Sequence, residues 1–110
     1  MPYDRDVNTQ IEKCPVEFAV AMIGGKWKPV LLFHLMASAK RFSELQRLVP
    51  NASDRMMTRS LRELEGDGLV HREVFPEVPV RVEYSLTSDG KTLYPILAEI
   101  SRWGEKRLSA

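Results

Sequence analysis

Cysteine, histidine and long apolar runs are scarce in this chain, and each scarcity closes a class of function. One cysteine, Cys14, in 110 residues leaves no internal disulfide to form, which agrees with a reducing compartment. The two histidines, His34 and His71, lie far from it and from each other in the sequence. A structural zinc site needs four convergent ligands, so no metal and no cofactor is expected. No apolar stretch approaches the roughly 20 residues that cross a bilayer, and the opening MPYDRDVNTQ lacks the hydrophobic run of a signal peptide. A cytoplasmic protein that does not engage a membrane is the expectation. A phosphate-binding glycine loop is missing as well, since GGK at Gly24 to Lys26 is too short for a Walker motif and follows no strand. No nucleophile has a recognisable base beside it, so the chain does not read as an enzyme.

Charge of one sign is not in excess either. Sixteen Lys and Arg against fifteen Asp and Glu leave a formal net charge of +1, so attraction for nucleic acid has to come from placement. Wound as a helix at about 100° per residue, Ser53 to Glu65 (SDRMMTRSLRELE) sets Arg55, Arg59 and Arg62 in one narrow stripe and Met57, Leu61 and Leu64 in a stripe nearly opposite. Asp54 is the one acid between Ser53 and Arg62. The leading half of this helix is therefore basic on one side and apolar on the other, as a helix lying in a DNA major groove requires. Upstream, Phe42, Leu45 and Leu48 repeat within RFSELQRLV, a short helix stopped by Pro50. PNAS joins the two, with Ser53 placed to cap the second helix by accepting from a free first-turn amide. Together they spell a helix-turn-helix over residues 42–65. Glu63 and Glu65 point in different directions on this helix and read as solvated.

Gly66 and Gly68 stop the arginine-bearing helix. Leu69 to Phe75 and Val80 to Leu86 then alternate apolar and polar residues around a PEVP turn. A hairpin directly after a recognition helix is the wing of a winged helix, with Arg72 and Arg81 as expected phosphate contacts and Glu77 at the tip repelling DNA. Between Lys26 and Met36, Trp27, Val30, Leu31, His34 and Leu35 follow a helical repeat, and Pro29 fits a first turn that needs no amide donor. Trp27 is expected as a core anchor and His34 as a packed, hydrogen-bonded side chain, while His71 lies on a strand within reach of solvent or DNA.

No internal repeat or low-complexity segment divides the chain, and its length suits one modest core. The fold class is mainly α with a small β hairpin (α+β), a winged helix-turn-helix in a single domain over 1–110. Its parts are an N-terminal arm at 1–12, the helix-turn-helix at 42–65, the wing at 69–86 and a C-terminal dimerisation helix at 88–108. The first helix, Pro15 to Ile23, is apolar on two faces, Val16, Ala19, Val20 and Ile23 on one and Phe18, Ala21 and Met22 on the other, with Glu17 alone clearly polar. So small a domain covers one such face and leaves the other for a partner. The last helix, from after Thr87 towards Leu108, offers Leu93, Ile96, Leu97, Ile100 and Trp103, with Pro95 bending it or making its first turns irregular. A homodimer is expected, with Phe18, Met22, Ile96, Ile100 and Trp103 at its interface, and a twofold protein reads half-sites about 34 Å apart.

CPVEFAVAMIGGKWKPVLL, RFSEL, LRELEGDGLVHR, PVRVEYSLTSDGKTL and the terminal WGEK resemble, as an ordered set from Cys14 to about Lys106, the HxlR family of bacterial transcriptional regulators, relatives of the MarR type. The resemblance implies a homodimeric winged-helix regulator on a palindromic operator. Met57, where the family more often has leucine, and the PNAS turn depart from its pattern; methionine fills a leucine-sized site at little cost. In this reading Ser53 caps the recognition helix, and Arg55, Thr58 and Arg59 reach base edges or nearby phosphates. Met56 touches a thymine methyl, and Arg41, Arg62, Arg72 and Arg81 contact phosphates. Cys14 stands before Pro15 at a helix start, where free amides and the positive end of the dipole favour a thiolate and Lys13 adds charge. Some HxlR relatives use a cysteine in this motif to sense electrophiles or oxidants, which implies a small-molecule or electrophile effector. Cys14 then reacts by alkylation, by a mixed disulfide or by a bridge to the partner subunit's Cys14; the alternative is a small hydrophobe packed at the dimer seam. The rival function is a winged-helix module that binds an acidic protein partner.

Overall fold

A computed structural model describes residues 14–109, so the expected arm at 1–12 and Lys13 lie outside the described residues. The chain runs α1 (Pro15–Ile23), α2 (Lys28–Leu35), β1 (Lys40–Arg41), α3 (Phe42–Leu48), α4 (Asp54–Gly66), β2 (Val70–Phe75), β3 (Arg81–Leu86), α5 (Ser88–Lys91) and α6 (Tyr94–Leu108). This is a mainly helical winged-helix fold with a small antiparallel sheet.

The core is assembled from one face of each element. Leu31, Leu32 and Leu35 of α2, Leu45 of α3, Met57, Leu61 and Leu64 of α4 and Leu97 of α6 pack with Leu69, Val70, Tyr84 and Leu86 of the wing. The α4 stripe lies where its spacing placed it, with all three aliphatics essentially inaccessible. Two expectations shift here. Leu48 is 43% exposed, and Val49 at 5% occupies the core instead: α3 ends at Leu48 and Val49 leaves the helical conformation (φ −128°, ψ 67°), which turns the next side chain inward. In α2 the core positions include Leu32, off the expected repeat. Trp27 and His34 are only half-buried, Trp27 packing against the core with the Lys26 ammonium 5.0 Å from its ring centroid.

Ser53 caps α4 as its side chain predicts, Oγ accepting from the Met56 amide at 3.1 Å. The helix ends at Gly66 with Asp67 as its C-cap, and the chain turns away at Gly68, whose φ of +76° is the left-handed conformation that favours glycine. The sheet has one strand more than the expected hairpin. In the order β1-β3-β2, the two residues of β1 pair with β3, Lys40 with Tyr84 and Arg41 with Glu83, while β2 pairs with β3 from Val70–Leu86 to Phe75–Arg81. Two residues carry no readable alternation, so β1 left no trace in the sequence.

The expected single helix over 88–108 is two. Thr87 caps α5, its Oγ accepting from the Gly90 amide at 3.0 Å and donating to the Gly68 carbonyl at 2.6 Å. Gly90 packs so closely that a Cβ there would meet the Leu69 carbonyl oxygen at 2.2 Å. After a turn, α6 starts afresh with Pro95 in its first turn, where its missing amide costs nothing.

Candidate nucleic-acid interface

Because Met57, Leu61 and Leu64 fasten α4 to the core, the opposite side of that helix is fixed outward. Arg55, Arg59 and Arg62 there line one open groove of about 640 Å³ together with Asp54, Thr58 and Glu63. The three guanidinium groups expected to project together are thus on a common surface. Met56 is exposed at the leading end and Thr58 is half-buried. Asp54 accepts from Gln46 Nε2 at 2.5 Å, a bond that ties the start of α4 to α3.

Glu63 is the point at which this face departs from the sequence reading. Instead of standing solvated, its carboxylate bridges two cations: Oε1 lies 2.9 Å from Lys28 Nζ and Oε2 3.4 Å from Arg59 Nε. The hydrogen bond from Lys28 is the first cause holding the Glu63 carboxyl below its ordinary value. Lys28, its side chain only 13% exposed, comes from α2, 35 positions upstream, so no local pattern announces the pair. Arg59 keeps a 73% exposed side chain but shares its charge. Arg55 and Arg62 form no ion pair among the described residues.

On the wing, Arg72 is exposed and unpaired among the described residues, whereas Arg81 is not the free cation expected. Its guanidinium bonds the Glu83 carboxylate, donates to Glu77 Oε2 at 2.8 Å and stacks 3.7 Å from the Phe75 ring centroid. Hydrogen bonding to Glu77 raises the Arg81 pKa and lowers that of Glu77. Arg81 therefore braces the hairpin and neutralises the Glu77 charge that was expected to repel DNA. The apolar side chain of Val78 is fully exposed at the tip instead. Arg41 precedes α3, its amide donating to Glu44 Oε1 at 2.7 Å and its side chain exposed. His71 faces solvent, 3.8 Å from Glu73.

Cys14 is exposed at the N-cap of α1, its carbonyl accepting from the Phe18 amide at 3.0 Å. The open apolar side chains nearby are Val16 and Val20; Met22, expected at a partner surface, packs against the chain's own core, and Phe18 is half-buried. Which of its two apolar faces stays open follows from the side on which the core meets α1, which periodicity does not specify. Ile96, Ile100 and Trp103 are exposed on α6. No described helix is long and apolar enough to cross a membrane.

Comparison with known proteins matches this arrangement. Residues 22–110 match the HxlR-like helix-turn-helix family. The chain is 50% identical over 105 residues to YybR, an uncharacterised HTH-type transcriptional regulator of Bacillus subtilis (strain 168), covering 96% of this chain and 84% of that one. The structure of the redox regulator HypR in its oxidised form superposes with a TM-score of 0.82 at 54% identity, over 84% of this chain and 96% of HypR. A protein from Porphyromonas gingivalis W83 assigned to the MarR family of transcriptional regulators superposes with a TM-score of 0.82 at 39% identity, over 86% and 92%.

Proposed function

We propose that this chain, which belongs to the HxlR-like helix-turn-helix family and is a transcriptional regulator of HxlR/MarR type, works in the cytoplasm as a homodimer that reads a palindromic DNA operator through α4. The observation that carries this is the single open groove of Arg55, Arg59 and Arg62 opposite a fully buried Met57, Leu61 and Leu64. A major groove accepts such a helix. Arg55, Thr58 and Arg59 reach base edges, Met56 meets a thymine methyl, and Arg41, Arg62 and Arg72 hold phosphates; Ser53 acts by capping the helix. Arg81 leaves the phosphate set, its charge being taken by Glu77 and Glu83. The exposed Ile96, Ile100 and Trp103, with Phe18 and the outer side of α1, form the dimer surface, which places two copies of α4 on half-sites about 34 Å apart.

Cys14 makes the regulator responsive to electrophiles. Its exposed position at a helix start suits addition of the sulfur to the conjugated carbon–carbon double bond of a quinone: the carbon–sulfur bond forms as that π bond opens, the electron pair passes to the quinone oxygen, and the thiol proton ends on the hydroquinone product. The likeness to HypR, a redox regulator by name, supports a sensing role.

A mobility-shift assay comparing the gene's own upstream DNA with random duplex at several salt concentrations tests the reading. Tighter binding to the upstream DNA is expected, and equal affinity for both would favour the acidic protein partner. Arg59→Ala is expected to cost about 1–3 kcal/mol, concentrated at one base pair of the operator. A uniform loss across sequences would make Arg59 a backbone contact.

A further inference from the structure

We propose that the cleft between α4 and the wing receives one phosphate of the DNA backbone, held jointly by Arg62, Arg72 and the Tyr84 hydroxyl; the inference rests on the DNA-binding reading above. Thr58, Arg62 and Glu65 of α4, Arg72 of β2 and Tyr84 of β3 enclose about 340 Å³. At about 30 Å³ per water, that holds a phosphate with part of its hydration.

The register builds the cleft. Arg72 and Tyr84 are direct antiparallel partners, so their side chains leave the same face of the sheet. That is also the face of the next buried pair, Val70 and Leu86. Thr58 and Arg62 sit one turn apart on α4 and complete the opposite wall. Unlike Arg59 and Arg81, neither Arg62 nor Arg72 has a carboxylate partner among the described residues, although Glu65 borders the same cleft.

Tyr84 supplies the independent observation. It is 9% exposed, yet its hydroxyl forms no hydrogen bond among the described residues. A buried phenol ordinarily finds a partner. Among the described residues no carboxylate, Glu65 included, is bonded to either guanidinium group or to the Tyr84 hydroxyl, and a phosphodiester has the oxygens to take all three donors. A site between recognition helix and wing is also where the DNA backbone bordering the groove passes.

Tyr84→Phe removes the donor and keeps the ring. Anisotropy titrations with the gene's upstream duplex and with a random duplex, over a range of salt, read the result, with circular dichroism confirming the fold. Tyr84→Phe is expected to weaken both duplexes by the same factor, about tenfold. The double variant R62A/R72A is expected to lose about one unit of salt slope rather than two, and less affinity than the product of the single losses. Glu65→Gln is expected to tighten both duplexes. Unchanged binding by Tyr84→Phe overturns the proposal, as do two lost slope units with multiplying losses, which would mean separate phosphates. Saturation of the Tyr84 ring resonances by inorganic phosphate alone, at fixed ionic strength, overturns the backbone assignment in favour of a free anion. Equal affinity of the unmodified protein for both duplexes, with the variants behaving as expected, supports the cleft while removing the operator-reading function. Binding to neither duplex overturns both.

Discussion

α4 and α1 are both short helices with large apolar content, yet they end in opposite situations. α4 divides cleanly: Met57, Leu61 and Leu64 vanish into the core and the arginines stand clear of it. α1 has no buried residue at all, and Val16 and Val20 remain open. The difference shows what amphipathicity does. A helix with one apolar stripe is completed by its own chain and leaves the other side free for charge. A helix apolar all round exceeds what one small core covers, so apolar side chains of its second face stay exposed.

The largest test of that contrast is Met57→Asp, which buries an unpaired charge where α4 meets the core. Its cost of several kcal/mol approaches the roughly 5–15 kcal/mol by which a whole domain is stable, so loss of cooperative unfolding by circular dichroism is expected. A folded variant with an unchanged midpoint would mean that α4 is not anchored through this face. The double variant I96D/I100D strikes the other kind of surface. It is expected to keep its helical content while sedimenting as a monomer, and to lose operator affinity on the order of a hundredfold because two linked half-sites become one. Unfolding instead would show that the apolar surplus serves the chain's own core.

Smaller effects sharpen the comparison. Ser53→Ala removes the acceptor for the Met56 amide and is expected to lower stability by about 1 kcal/mol, read from denaturant midpoints with an unchanged slope. Smallest is the pH response of His34. Burial first, and the Lys40 charge second, hold its pKa below the ordinary 6.5. The unfolded chain therefore takes the proton first as pH falls, so this contribution is whole above about pH 6.5 and drains away as pH drops through the folded value. His34→Asn is expected to flatten the change in denaturant midpoint across that window; an identical slope in both proteins would assign the pH response elsewhere.

Much of the candidate site was legible because it is local. Arg55, Arg59 and Arg62, the Ser53 cap and the turn at Gly68 all depend on residues within a few positions of one another, and helical geometry converts spacing into direction. The wing strands were legible through their alternation, apart from the two-residue β1. The fates of individual charges were not. Arg81 and Arg72 look alike in a strand pattern, but only Arg81 lies against Glu77, Glu83 and Phe75. Leu48 and Val49 exchange places because the helix ends between them, and the break between α5 and α6 reflects Thr87 bonding to the Gly68 carbonyl as well as Pro95.

What the amino-acid order determined unaided is the fold class and the outward arginine stripe of α4, since periodicity, caps and breakers act within a turn or a strand. Tertiary structure alone decided which cations stay free. Lys28 reaches Glu63 across the interface of α2 with α4, and Tyr84 stands beside Arg72 because of a register set by the whole sheet. Charge pairing falls off over a few ångströms in space and takes no account of separation along the chain.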